Sequence, residues 1–192
     1  SIELSNSWAA VSLFSGIGGF DIGFHRAGFS IKRTLEIDSD CCKTQLSNLS
    51  ALGIERDAVL CEDITRSDPR TFYAGTVDLI IGGPPCQSFS AAGRRAGGVT
   101  GINDARGSLF WYYCQFVRHF KPKIFVFENV RGILSSAKGR DWKVIQASFS
   151  DVGYRLYHRV VDAADFGTPQ HRERLIMVGV RDDIQKPFFF PR

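Results

Sequence analysis

Short apolar runs of strand length alternate with segments patterned as amphipathic helices along almost the whole chain, and that alternation leaves few folds open. "WAAVSLF" (8–14) reads as a strand, and "FDIGFHRAG" then sets Phe20, Phe24 and Ala27 on one helical face. "IKRTLEI" (31–37) reads as a second strand, followed by a helix over 39–49 with Ser39 as its cap. Further strands are predicted at 58–61, 77–81 and 123–128, and helices at 108–120 and 140–150. "RLYHRVVDA" and "RLIMVGV" give two last strands, 154–162 and 174–180, with no helix between them, so they are expected to form an antiparallel hairpin at the sheet edge. The pattern predicts an α/β fold, a mostly parallel sheet with helices on both faces. A chain of 192 residues accommodates it as one domain, 1–192, with a substantial core.

Composition removes other classes. With 44% apolar and 23% charged residues the chain is globular rather than disordered. Runs such as "IFVF" and "LIMVGV" are far too short to span a membrane, and the start has no signal-peptide layout, which predicts a cytosolic or nuclear location. The net charge of +4 suits nucleic acid but equally an ordinary solvated basic face. Five cysteines without a Cys-x-x-Cys pair argue against a disulfide framework or a zinc site, so four are read as core filler. The histidines (25, 119, 158, 171) lack metal-ligand spacing and are read as structural.

Ligands of open α/β sheets bind beyond the C-terminal strand ends, and the unusual residues fall at such ends. After the first strand come Phe14, Ser15, Gly16, Ile17, Gly18 and Gly19, a turn whose glycines allow close approach of a ligand or simply make the turn. The dinucleotide pattern would need glycine where Asp21 stands, so a nucleoside without phosphates fits better than a pyrophosphate. Glu36 ends the second strand, where a carboxylate can accept from ribose hydroxyls, and Asp63 follows the third, placed to take an adenine amino group. Cys86 follows "IGGPP". A buried thiol is the bland alternative, but Pro84 and Pro85 cannot continue a central strand, and the residues after Cys86 are small and polar. Arg94 and Arg95, nearby in sequence, would favour a thiolate. Glu128 ends the fifth strand in "FENV"; burial there would raise its pKa and make it a proton donor, unless it is capped or ion-paired.

In order, "SLFSGIGGFDIGF", "EIDSD", "CEDI", "GGPPCQSFS", "RGSLF", "FENVRGIL" and "QHRERLIMVGVR" resemble the motifs of the cytosine-5 DNA methyltransferases, from about residue 10 to 181. The resemblance implies the Rossmann-like fold of enzymes that use S-adenosyl-L-methionine (AdoMet) and release S-adenosyl-L-homocysteine. It makes Cys86 the nucleophile at cytosine carbon 6, Glu128 the acid at ring nitrogen 3, and Arg174, assisted by Arg172, the group that orients a base flipped out of double-stranded DNA. It implies AdoMet contacts at Phe14, Ser15, Gly16, Ile17, Gly18, Gly19, Glu36, Ile37, Asp63, Ile64, Pro85 and Leu109. Segment 90–107 is similar to the family's mobile loop, with Gln87, Ser88, Ser90, Arg94, Arg95 and Arg106 as its DNA-contacting residues. Many relatives carry Asp where Ser12 stands here.

Family members usually continue with a target-recognition domain and two further motifs, whereas this sequence reaches "KPFFFPR" soon after the match. The expectation is either one subunit of a split enzyme, with a second polypeptide supplying recognition, or the catalytic half of a longer chain; "PFFF" is then a surface awaiting that partner. A bacterial restriction–modification setting is expected by analogy. Two rival readings remain: a tRNA-directed branch that shares this motif set, and a silent regulatory relative, although Gly16, Glu36, Cys86, Glu128 and Arg174 are all present.

Overall fold

A computed structural model describes residues 7–85 and 108–191. The strands are β1 (Ala9–Leu13), β2 (Ser30–Glu36), β3 (Val59–Cys61), β4 (Leu79–Gly82), β5 (Ile124–Val130), β6 (Tyr154–Asp162) and β7 (Glu173–Arg181). They form one sheet in the order β3-β2-β1-β4-β5-β7-β6. The first five run parallel, and β5–β7 and β7–β6 are antiparallel, so the expected edge hairpin is present. Helices α1 (Gly19–Arg26), α2 (Ser39–Leu46), α3 (Leu49–Leu52), α4 (Pro69–Phe72), α5 (Leu109–Phe120) and α6 (Arg140–Asp151) cover the two faces.

β4 shows why the sheet is sandwiched. Ile80 belongs to the core beneath α5 and α6, while Leu79 and Ile81 belong to the core on the opposite face, with Leu52. A strand buried on both faces reads as a continuous apolar run rather than an alternating one. Under α5 and α6 the filling is aromatic: Phe125 stacks on Phe149 at 4.2 Å between ring centres, and buried Tyr113 donates to the Val126 carbonyl at 2.9 Å.

Three expectations are corrected. Asp38, not Ser39, caps α2: its carboxylate accepts from the Asp40 and Cys41 amides, and Ser39 is the first helical residue. The helix ends at Leu46, and α3 is a separate turn. Of the four described cysteines only Cys42 and Cys114 are buried; Cys41 is half-buried and Cys61 exposed at the end of β3. In the terminal aromatic run Phe189 is exposed, but Phe188 packs on Tyr157 of β6 and on Phe190. Among the described residues no helix is long and apolar enough to cross a membrane.

Connections leave β1 and β4 on opposite sides, so their C-terminal ends border the crevice where the strand order reverses, the usual ligand site of such sheets. β7 runs antiparallel to β5, which brings its first residues to the same edge.

Candidate functional site

Phe14 leaves β1 with φ +55°, a left-handed conformation that costs a non-glycine residue about 1 kcal/mol or more. The bend lets Phe14 line two adjoining cavities, which also share Gly83. The larger, about 480 Å³, is bounded on one side by the turn residues Ser15, Ile17 and Gly19 and on the other by Glu128, Arg172 and Arg174. The smaller, about 220 Å³, is lined by Glu36, Ile37, Asp63, Ile64, Pro85 and Leu109.

The glycine turn is held from below. Glu36 Oε2 accepts from the Gly16 amide at 2.7 Å, and Oε1 accepts from the Ile37 and Asp38 amides at 2.9 and 3.0 Å. Gln45, fully buried on α2, donates to Ser15 Oγ at 2.8 Å and to the Gly16 carbonyl at 2.6 Å, and accepts from Thr34 at 2.7 Å. Gly18 faces inward, where a side chain would collide with Leu52. At Gly16 and Gly19 a β-carbon would meet no atom within 4 Å, so the upper side of the turn is open. Glu36 keeps one lone pair free, on Oε2, and the carboxylate of Asp63, held low chiefly by the Thr65 amide, accepts that amide at Oδ1. Two carboxylates beside Ile37, Ile64, Pro85 and Leu109 provide acceptors for hydroxyl and amino groups and apolar walls for a ring, which fits a nucleoside.

On the opposite wall, Arg174 Nε lies 2.8 Å from Glu128 Oε1, both side chains about one-quarter exposed. The register sets this up: Val130 faces Arg174 and Glu128 faces Ile176, so the two charged groups are diagonal neighbours on one face. Glu128 is thus partly buried, as the sequence predicts, and ion-paired, the alternative it also allowed. Gly83 lies against Glu128, with no room for a side chain between them. Asn129, 6% exposed, donates to the Pro84 carbonyl at 3.0 Å and so fixes the segment that leads to Cys86.

Arg172 is placed by Asp162, which ends β6. Its Oδ1 accepts from the Ala164 and Arg172 amides at 3.1 and 2.9 Å, and its Oδ2 sits 2.9 Å from His171 Nδ1. These contacts, His171 foremost, hold the Asp162 carboxyl down at about 2.

Gln45, Asn129 and Asp162 are site-building residues that sequence reasoning missed. Cys86, Gln87, Ser88, Ser90, Arg94, Arg95, Arg106 and the loop 90–107 lie outside the described residues. Burial pushes the Cys42 and Cys114 thiols up to about 12 and about 11, which keeps both protonated.

Known proteins match the sequence and fold of this chain. The model of the C-5 cytosine-specific DNA methylase family matches residues 8–190. The type II methyltransferase M.AquIA of Picosynechococcus is 41% identical, over 94% of this chain and 74% of its own length. M.FnuDI of Fusobacterium nucleatum is also 41% identical, over 94% of this chain but 49% of its own. A crystal structure described as a DNA modification methyltransferase encoded within a prophage (E. coli) superposes with a TM-score of 0.75 at 28% identity, covering 95% of this chain and 49% of that one. The S. pombe Dnmt2 methyltransferase, at 20% identity and TM-score 0.71, shares the fold. The chain therefore spans about half the length of several of the proteins it matches, and with the family model covering residues 8–190 and relatives at 41% identity over nearly all of it, the chain belongs to the C-5 cytosine-specific DNA methylase family.

Proposed function

We propose that this chain is the catalytic part of an enzyme that methylates carbon 5 of a cytosine flipped out of double-stranded DNA. One observation carries the reading: the Glu128–Arg174 pair stands across a shared wall, Phe14 and Gly83, from a cavity lined by Glu36, Asp63 and apolar side chains, and the Pro84 carbonyl, two residues before Cys86 in the sequence, is tied down beside it.

Glu36 and Asp63 would hold the adenosine of AdoMet, between Ile37, Ile64 and Leu109, and the open turn at Gly16 and Gly19 would face its amino-acid end. When bound, AdoMet supplies an electrophilic methyl group. Carbon 5 of cytosine is a weak nucleophile until a thiolate adds at carbon 6. Cys86 forms that bond, and Glu128, ion-paired with Arg174 in the free protein, takes up a proton from solvent as the base enters and gives it to ring nitrogen 3, so the displaced electron pair is available at carbon 5 rather than held as charge on the ring. After methylation a base takes the proton from carbon 5, the carbon 5–carbon 6 double bond re-forms as the Cys86–carbon 6 bond breaks, the thiolate leaves, and the proton on ring nitrogen 3 returns to Glu128. Arg174 holds Glu128 in place and, with Arg172, offers donors to the base edge.

Transfer of tritiated methyl from AdoMet to DNA, with tRNA in parallel, tests the reading. Wild-type protein should label DNA, Cys86→Ser should not, and the variant should still bind AdoMet. Label on DNA from Cys86→Ser would refute the covalent route, and label on tRNA alone would refute the substrate.

A further inference from the structure

The first turn of α1 hides a carboxylate that the reading above does not use. Asp21 is fully buried, and neither of its oxygens has a hydrogen-bond partner among the described residues. Ser12 on β1 is 1% exposed, and its Oγ is unpartnered too. The Ser12 hydroxyl lies close enough to favour the ionised carboxylate, without a well-formed hydrogen bond between them. Burial dominates and pushes the Asp21 carboxyl up to about 6; the opposing influences are Ser12 and its own amide, with no charged side chain among them. A first-turn carboxylate profits from the helix dipole at the surface as well, so that effect does not explain burial without a partner.

Position supplies the explanation. Ser12, Gly19 and Phe20 all line the larger cavity, so Asp21 sits directly behind that wall. A carboxylate in so dry a setting acts strongly on a cation arriving within a few ångströms. We propose that Asp21, acting through the Ser12 hydroxyl, is the counter-charge for the α-ammonium of the methyl donor's amino-acid end. Ser12, whose Oγ is itself buried, donates its proton to the Asp21 carboxylate, and the pair acts on the ammonium from behind the cavity wall. Asp21 molecules that carry a proton in the free protein lose it to solvent when the cation binds. The inference rests on AdoMet being the ligand of the two cavities, and it makes Asp21 a positioning residue rather than a contact.

Calorimetric binding of AdoMet and of 5′-methylthioadenosine, which lacks the amino-acid end, to wild type, Asp21→Asn and Ser12→Ala tests it. Asp21→Asn should bind AdoMet at least ~10-fold more weakly and hold 5′-methylthioadenosine within about twofold, with Ser12→Ala between. Near the pH at which Asp21 is half-ionised, about 6, wild type should release protons on binding AdoMet, seen as enthalpies that differ between buffers, and Asp21→Asn should not. The melting temperature of Asp21→Asn without ligand should equal or exceed that of wild type, since a buried charge is removed. Unchanged AdoMet affinity, equal losses for both ligands, a lowered melting temperature or undiminished proton release in Asp21→Asn would each overturn the proposal while leaving the cofactor reading intact. If wild type binds neither ligand, the cofactor reading fails and takes this proposal with it.

Discussion

Gly83→Ala should separate activity from stability at one position. The added β-carbon would collide with Glu128 Oε2 and would lie 3.3 Å from the Glu128 carbonyl. The first obstacle is the tip of a flexible side chain, which can swing away. The second is backbone, but needs to yield only slightly. Overpacking of this mild kind costs about 1 kcal/mol, and loss of a partly exposed ion pair adds at most about 1 kcal/mol more. For a chain of this size the melting temperature should then fall by roughly 2–8 °C. The carboxylate that swings away is the one 2.8 Å from Arg174 Nε. A displacement of about 1 Å at a proton donor lowers a rate by roughly 100-fold. Single-turnover methyl transfer at saturating AdoMet, beside a thermal melt, reads both quantities. A rate within about threefold of wild type would refute the claim that Glu128, held in this pose, serves the reaction. Collapse of the fold would mean that the backbone contact governs instead.

Other positions give independent checks. Gly19→Ala has free space and a helical setting, so stability should rise by about 0.5 kcal/mol while AdoMet affinity falls; equal affinity in titrations would place the cofactor elsewhere. Because Asp21 is raised in the folded state, its own contribution to stability is fully present below about pH 4 and is lost as pH climbs through about 6; Asp21→Asn should therefore match wild type at pH 4 and exceed it at pH 7 by up to roughly 3 kcal/mol in denaturant melts. His171 titrates above its usual value because of Asp162, so in Asp162→Asn its NMR midpoint should drop toward 6.5, and methyl transfer should weaken through misplaced Arg172. Arg174→Lys keeps the charge but loses the Nε contact to Glu128, and should lower the maximal rate more than AdoMet affinity.

The sheet was legible because parallel strands buried on both faces appear as unbroken apolar runs, and "LIIG" is buried at every position. Capping was less legible: "DSD" offers three side chains able to cap, and the choice of Asp38 depends on its extended backbone, φ −76° and ψ 116°. The helix over 39–49 broke early for a related reason. Ser47 Oγ and Asn48 Nδ2 donate back to the Lys43 and Thr44 carbonyls, so side chains compete with the backbone for the acceptors that end the helix.

What the sequence could not express is pairing across strands. Glu128 and Arg174 are distant in the chain, and either alone reads as a solvated charge; only the antiparallel β5–β7 register makes them diagonal neighbours. Gln45 and Asn129 are hidden in the same way, since each looks like an ordinary polar residue until burial shows that its amide ties down the glycine turn or the Pro84 carbonyl. The strand ends therefore advertise the groups that face a ligand, whereas the groups that aim them are silent. Rate and affinity should respond to both sets, so a variant series confined to the motif residues would credit those residues with energy that Gln45, Asn129 and Asp162 supply by holding them still.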